Sequence, residues 1–123
     1  MAQRFTGNDE IEAQQIEHLL DVMRILRDPH GGCPWDKEQN FASVAPYTIE
    51  EAYEVVEAIR KGDFEELKEE LGDLLLQVVF HSQIAAELDL FDFDQVVMGV
   101  CDKMISRHPD VFQGSEGKDI HSQ

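Results

Sequence analysis

Apolar residues recur at helical spacing through most of this chain, and that periodicity restricts its fold more than any other feature. The first stretch, residues 8–29, carries an apolar stripe made of Ile16, Leu19, Leu20, Met23 and Leu26. Residues three and four apart share one helix face, so the stripe predicts an amphipathic helix that Pro29 ends. The alternation typical of strands appears nowhere with any strength, so the sequence predicts an all-α fold.

Helix start and stop signals divide the rest of the chain into three more helices. The second helix begins near Pro46, with a Thr48–Glu51 capping box, and ends at Gly62. The third begins after Asp63 as N-cap and runs to about Leu88. The fourth begins at Asp92, which pairs with Gln95, and Pro109 ends it. Between the first two helices, "HGGCPWDKEQNF" predicts a loop with room for a short helix after Asp36. Four main helices with short connections predict a four-helix, bundle-like domain.

The size and charge of the chain narrow its partners. At 123 residues and 42% hydrophobic content, we expect one domain with a modest core that a second copy of the chain would extend. We place this domain at residues 1–114 and a polar tail at 115–123. The net charge of −16, from 26 acids and 10 bases, argues against nucleic acid and anionic membrane as partners. A phosphate-bearing ligand would need metal ions between itself and this surface.

Cysteine usage and the first residues indicate the compartment. Cys33 and Cys101 form no C-x-x-C motif and are typical of reduced thiols. The opening "MAQRFTGNDE" shows no apolar segment of a secretory signal, and no apolar run approaches the length of a membrane span. We therefore expect a cytoplasmic location.

Two pairs of acidic residues lie beside the apolar stripes of the second and third predicted helices. Glu51 and Glu54 are three residues apart, as are Glu70 and Asp73, so each pair shares one helix face. The connection "RKGDF" is short enough for antiparallel packing, which would bring the two pairs face to face. Two interpretations stay open at this point: a solvated acidic face, or an all-oxygen site for Mg²⁺ or Mn²⁺.

Several other nucleotide and metal motifs are absent from the sequence. No glutamate is followed by histidine at the third position, as di-iron helix bundles require. There is no EF-hand loop, no H-E-x-x-H, no Walker A motif and no G-x-G-x-x-G. A glycine-rich loop is therefore not the device by which this chain would hold a nucleotide.

Four segments in the order "GCPWDKEQ", "PYTIEEAYEVVEAI", "EELGDLLLQVVFH" and "KMISRHPDVF" resemble the MazG family of nucleoside triphosphate pyrophosphohydrolases, over roughly residues 12–114. The resemblance implies an all-α bundle that uses Mg²⁺, with Mn²⁺ as a substitute, to hydrolyse nucleoside triphosphates to monophosphate and pyrophosphate. It also implies a homo-oligomer, a dimer or a dimer of dimers, with helices from two chains around each site. One position departs from the pattern: Asp110 stands where the family has the second histidine of its R-H-P-H-V-F block, so no role of that histidine is carried over.

By position, the resemblance assigns the metal ligands as Glu51, Glu54, Glu70 and Asp73. Glu50 would act beside Glu51 in catalysis, either by contacting the metal ligands without binding the metal itself or by orienting water. Two cations would balance these carboxylates, bridge the phosphates and favour attack of water on the α-phosphorus.

Four further residues are candidates for substrate binding: Lys37, Trp35, Arg107 and His108. Lys37 would grip phosphate, and otherwise it is a surface lysine. Trp35 offers a ring to a base, although a lone tryptophan in a small protein more often packs in a core or an interface. The basic pair at the end of the last helix would bind phosphate or simply complement the negative helix C-terminus.

Two alternatives to a general nucleotide pyrophosphohydrolase remain at this stage. One is a narrow-specificity enzyme, because related all-α folds act on dUTP, dCTP or phosphoribosyl-ATP. The other is a helical protein-interaction module with a vestigial metal site. The intact set of acids argues against the module, and the sequence does not name the base.

Overall fold

The computed structural model describes residues 7–112, with side chains from residue 14 onward. Within that range the chain forms six helices and no strand: α1 (Gly7–Leu26), α2 (Pro34–Lys37), α3 (Phe41–Lys61), α4 (Phe64–Glu87), α5 (Phe93–Arg107) and α6 (Pro109–Phe112). The prediction of an all-α fold with four main helices is confirmed. The predicted tail, 115–123, lies outside the described residues.

Three of the predicted helix ends have the expected chemistry. The Asp63 side chain accepts a hydrogen bond from the Glu66 amide at the start of α4. Asp92 and Gln95 bond reciprocally, backbone to side chain, at the start of α5. Gly62 adopts φ 70° after α3, a left-handed conformation that glycine takes without steric cost. Each signal is local, so the sequence was sufficient to locate it.

The predicted start of α3 was wrong. A reciprocal Asn40–Ser43 capping box begins the helix at Phe41, and Pro46 lies inside it. Thr48 is therefore no cap. Its hydroxyl contacts the side chains of Gln77 at 3.1 Å and His81 at 3.0 Å on α4. The short helix α2 also begins earlier than expected, at Pro34, because proline suits the first helical position.

Helices α3 and α4 pack as an antiparallel hairpin that forms the centre of the molecule. Moving forward along α3, Thr48 meets Gln77 and His81, and Glu51 meets Asp73 and Glu70. Helices α1 and α5 pack against α4. The core cluster consists of Met23, Val44, Val79, Phe80 and Ile84.

This core is small, and much apolar surface lies outside it. No residue of α5 is buried, although the helix carries five exposed large apolar side chains: Val96, Val97, Met98, Val100 and Met104. Ile49, Tyr53, Val56 and Ile59 of α3 are likewise exposed. Apolar area of this extent, left open to water by one chain, is typical of a surface that another protein covers.

Candidate metal centre

The antiparallel hairpin brings the two predicted acidic pairs together. Glu51 from α3 meets Glu70 and Asp73 from α4, and each offers a carboxylate oxygen within 4.8 Å of the other two. The juxtaposition arises because residues three apart on each helix share a face and the two faces oppose one another. Three carboxylates gathered in this way can share one cation.

A second group of acids adjoins the first through Glu70. Glu54 and Glu66 place carboxylate oxygens within 4.8 Å of each other and of Glu70. Glu66, which the sequence analysis did not single out, is half-buried. Its position one turn before Glu70 on α4 was the available signal, since residues four apart share a face. Glu66 also pairs with Lys61 at 3.4 Å.

Glu51 is the most perturbed acid of the cluster. Its Oε2 atom is buried and has no hydrogen-bond partner among the described residues. Its pKa rises from 4.5 to about 7, first because burial disfavours the charged form, then through a side-chain hydrogen bond with Glu70 and repulsion from Asp73, Glu70 and Glu54. A buried carboxylate oxygen with no donor is an atom that a cation would satisfy.

The donor set fits a hard divalent cation. Every group in both trios is a carboxylate, and all-oxygen sites suit Mg²⁺ or Mn²⁺ rather than softer ions. The negative charges repel one another unless a cation or a proton balances them. Burial and this repulsion together raise the pKa of Glu51, so that the carboxyl holds a proton where no cation is bound. The observed residues therefore agree with a metal centre, which the sequence had left open against a solvated face.

A polar network continues along α4 from the acids. His81 lies beside the Thr48 hydroxyl, with Nε2 at 3.0 Å, and its ring stacks on Phe41 at 5.9 Å. Burial lowers the pKa of His81 below its usual value. His81 is thus a hydrogen-bonded packing residue between α3 and α4.

Trp35 packs on two aromatic side chains, one from α3 and one from α4. Its ring meets the edges of Tyr47 and Phe80, with centroids 5.7 and 6.3 Å away, and remains 49% exposed. Tyr47 is one helical turn before Glu51 and shares its face, about 6 Å away along the axis. Trp35 is thereby joined to the α3 face that carries Glu51 through Tyr47, a neighbour that our sequence analysis did not single out.

The remaining predicted site residues lie apart from the acids in the described contacts. Lys37 lines a cleft of about 620 Å³ with Gln83 and Glu87, and its ammonium donates to the Pro29 carbonyl at 3.4 Å. Gln83 is about 15 Å along α4 from Asp73 at 1.5 Å per residue.

Glu50, Arg107 and His108 are exposed, and Glu50 belongs to neither trio. His108 Nδ1 lies 2.7 Å from the Met104 carbonyl at the end of α5, a contact that suits the predicted helix-end role.

The fold and the cluster define a class: an all-α domain whose two central helices bring together carboxylates that could hold a metal ion. Residues 39–112 match the MazG nucleotide pyrophosphohydrolase domain, and the chain belongs to that family. Among the described residues, no helix is both long and apolar enough to cross a membrane.

Curated relatives cover most of this chain. It is 55% identical over 104 residues to the nucleoside triphosphate pyrophosphohydrolase of Escherichia coli K12, covering 85% of this chain and 40% of the relative. It is 50% identical over 102 residues to the nucleoside triphosphate pyrophosphohydrolase/pyrophosphatase MazG of Thermotoga maritima, covering 83% and 40%. It is 39% identical over 105 residues to the nucleoside triphosphate pyrophosphohydrolase of Mycobacterium tuberculosis, covering 84% of this chain and 32% of the relative. The chain thus spans two fifths or less of the length of these relatives.

Proposed function

We propose that this chain hydrolyses nucleoside triphosphates to nucleoside monophosphate and pyrophosphate with Mg²⁺ as cofactor. Membership of the MazG family and the names of its relatives support the reaction class. The observation that carries the proposal is the meeting of Glu51, Glu70 and Asp73, with the Glu51 Oε2 atom buried and unpartnered. Water would attack the α-phosphorus, forming one P–O bond while the bond to the β-phosphate oxygen breaks and pyrophosphate leaves.

Glu51, Glu54, Glu70 and Asp73 would hold the metal, with Mn²⁺ able to replace Mg²⁺. Glu66 joins this set because Glu54, Glu66 and Glu70 each offer a carboxylate oxygen within 4.8 Å of the other two. When bound, the cation supplies positive charge beside the phosphoryl oxygens, where a chain with 26 acids and 10 bases has little of its own.

The other residues take supporting parts in the proposal. Glu50, exposed beside the cluster on α3, would orient the attacking water. Trp35 would stack on the base, since its ring is half-exposed and contacts Tyr47, which lies one turn before Glu51 on α3. Lys37, Arg107 and His108 would contact phosphate only if supplied by a second chain or by movement, because their described contacts do not join them to the acids.

We also propose that residues 1–114 act as one domain in a homo-oligomer, a dimer or a dimer of dimers. The support is α5, which has no buried residue yet carries five large exposed apolar side chains. A helix of this kind gains most of its stability from packing of an amphipathic face. A second copy, which presents the same surface, would cover it. A cytoplasmic location belongs to the same proposal.

Release of pyrophosphate from a panel of ribo- and deoxynucleoside triphosphates tests the activity. We expect one pyrophosphate and one monophosphate per substrate in the presence of Mg²⁺, and no release with a chelator. Strong preference for one deoxynucleotide would indicate the narrow-specificity enzyme. An absence of release from every substrate with Mg²⁺ and with Mn²⁺ would favour a helical interaction module instead.

A further inference from the structure

Arg27 is a buried cation that ties α1 to α4 and to the segment that carries Trp35. Its side chain is only 7% exposed. Nε and Nη2 donate to the two carboxylate oxygens of Glu87 at 2.9 and 2.8 Å. Nη1 donates to the carbonyls of Asp36 and Gln39 at 2.7 and 3.1 Å. One side chain thus fixes the backbone on the C-terminal side of Trp35 at two points.

The guanidinium also contacts Phe80, one of the two aromatic rings that pack on Trp35. It lies 5.6 Å from the centroid of the Phe80 ring, and that ring meets Trp35 edge to face at 6.3 Å. Gln39, held by Arg27 through its carbonyl, donates its side-chain amide to the Trp35 carbonyl at 2.8 Å. Backbone and ring of Trp35 therefore depend on the same cation by separate routes.

We propose that Arg27 is a positioning residue for substrate binding: it holds Trp35 against Tyr47, one helical turn before Glu51, so that the tryptophan ring is placed for the nucleotide base. The inference rests on the proposed function, in which Trp35 contacts the base. It assigns Arg27 a role that an ordinary salt bridge would not have, because half of its donated bonds go to the Trp35 segment rather than to Glu87.

The arrangement requires arginine rather than any cation. A planar guanidinium presents five donors in a fixed fork, which allows a bidentate bond to Glu87 together with two carbonyl bonds. Lysine in place of Arg27 would keep the charge and the pairing with Glu87 but would lack the rigid fork. Arg27→Lys is therefore a variant that should release the Trp35 segment without leaving Glu87 unpaired.

Fluorescence tests the hold directly, because Trp35 is the single tryptophan of the chain. We expect Arg27→Lys to make Trp35 more accessible to acrylamide quenching, with helix content unchanged. Arg24→Lys is the matched control: Arg24 is exposed, pairs with Asp21 in its own helix, and should leave quenching as in the parent. Unchanged quenching in Arg27→Lys would overturn the proposal.

Kinetics test whether the hold serves the substrate. A contact with the base, remote from the reacting phosphorus, should be equally strong in the bound substrate and in the transition state. We therefore expect KM to rise about tenfold in Arg27→Lys and kcat to stay within about threefold. In a Trp35→Ala background the same substitution should add little, since its effect passes through the tryptophan. A full additional effect in that background, or an unchanged KM, would contradict the role.

A second variant keeps the test decisive if Arg27→Lys does not fold. Glu87→Gln removes the charge that fixes the guanidinium in place through its bidentate pair, so the carbonyl bonds to the Trp35 segment should weaken and smaller changes in the same direction are expected. No change in Trp35 quenching or KM in Glu87→Gln would then overturn the proposal. If the parent protein hydrolyses no nucleotide, the proposed function is wrong. If the parent is active but Trp35 quenching is unaltered in the variants, only the role of Arg27 is wrong.

Discussion

Glu51 on α3 and Asp73 on α4 hold carboxylate oxygens within 4.8 Å of each other across the central hairpin. A chain gains no stability from such a pair in the absence of a cation, because like charges repel more strongly near a partly buried surface than in water. Burial raises the pKa of Glu51 first, and repulsion from Asp73 and its neighbours adds to the rise. The pair therefore predicts opposite effects of one substitution on activity and on metal-free stability.

Asp73→Asn and Glu51→Gln should each lower turnover by roughly a hundredfold or more, because each removes a proposed metal ligand. The metal-free variants should be as stable as the parent or more stable, by about 1 kcal/mol, since one repelling charge is gone. Calorimetry with and without Mg²⁺ provides the second measurement. Mg²⁺ should raise the melting temperature of the parent, which binds it when folded, and this rise should shrink or vanish in the variants.

The control for these variants is Glu65→Gln, whose side chain is 89% exposed and outside both trios. It should retain both turnover and the Mg²⁺-induced rise. Full turnover and a full rise in Asp73→Asn would show that Asp73 is not a ligand.

The raised pKa of Glu51 also predicts a pH dependence for the metal-free protein. The folded state keeps its proton up to about 7, whereas the unfolded carboxyl loses it near 4.5. The stability that Glu51 contributes is therefore fully present below about 4.5 and is lost as the pH rises through about 7. Urea unfolding in chelator, from about pH 5 to about pH 8, should show the parent losing on the order of 1 kcal/mol relative to Glu51→Gln.

Glu87 supplies an internal contrast for that experiment. Hydrogen bonding to Arg27 lowers the pKa of Glu87, so its contribution is present above the ordinary pKa and is lost as the solution becomes more acidic. The pH range over which Glu87 changes the stability therefore lies below the range over which Glu51 does. A parent and a Glu51→Gln variant with parallel stability profiles above pH 5 would contradict the assignment of the raised pKa to Glu51.

Local signals predicted most of the helix ends, and distant contacts decided the exceptions. Asp63 and Asp92 cap their helices through bonds to residues three positions on, so the sequence alone was sufficient. Thr48 was misread because Pro46 and Glu51 imitate a helix start around it. Its actual partners on α4, Gln77 and His81, are brought to it by the turn of the hairpin.

The site was predictable to the extent that helix faces are predictable. The spacing of Glu51, Glu70 and Asp73 on their helices indicated the face that each occupies, and the short connection indicated that the faces meet. Which other acids would join depended on the rotation and offset of α4 against α3, which spacing does not give. Glu66 enters the cluster by that offset, whereas Glu50, next to Glu51, remains exposed.

The proposed Mg²⁺-dependent activity predicts a preference among divalent cations. Mg²⁺ and Mn²⁺ accept compact octahedral oxygen sites, whereas Ca²⁺ prefers longer bonds and more ligands. We expect pyrophosphate release with Mg²⁺ or Mn²⁺ and none with Ca²⁺ as the sole divalent ion. Equal turnover with Ca²⁺ would argue against a compact site formed by these carboxylates.

The exposed apolar face of α5 predicts that one charged side chain introduced there will dissociate the proposed oligomer. Val100 is 49% exposed and lies in line with Val96 and Met104, so Val100→Glu places a carboxylate in the proposed contact surface. Sedimentation at micromolar concentration should show an oligomer for the parent and a shift to the 14.0 kDa monomer for Val100→Glu. Ser106→Glu adds the same charge to a different side of α5 and should leave the assembly intact. A parent that sediments as a monomer would rule out the proposed oligomer.

The loop that leads to Trp35 depends on a close backbone approach at Gly32. A Cβ atom there would lie 2.3 Å from the Leu26 carbonyl oxygen and under 3.0 Å from two backbone atoms of Asp28, and none of these is the end of a flexible side chain. The Gly32 and Cys33 amides also donate to Asp28 and Leu26 carbonyls at 2.8 Å, so the loop cannot move away without losing them. Gly32→Ala should therefore lower the free energy of unfolding by about 1–3 kcal/mol, the usual cost of overpacking, and alter Trp35 fluorescence.

Gly31→Ala is the matched control for this loop, because a Cβ at Gly31 meets nothing within 4 Å. It should change stability by no more than about 0.5 kcal/mol, as is usual for a surface substitution. Denaturant unfolding of both variants, followed by the emission of the single tryptophan, measures the two effects together. Equal stability of Gly32→Ala and Gly31→Ala would show that the loop yields freely at Gly32 and that the Trp35 segment is not fixed at that end.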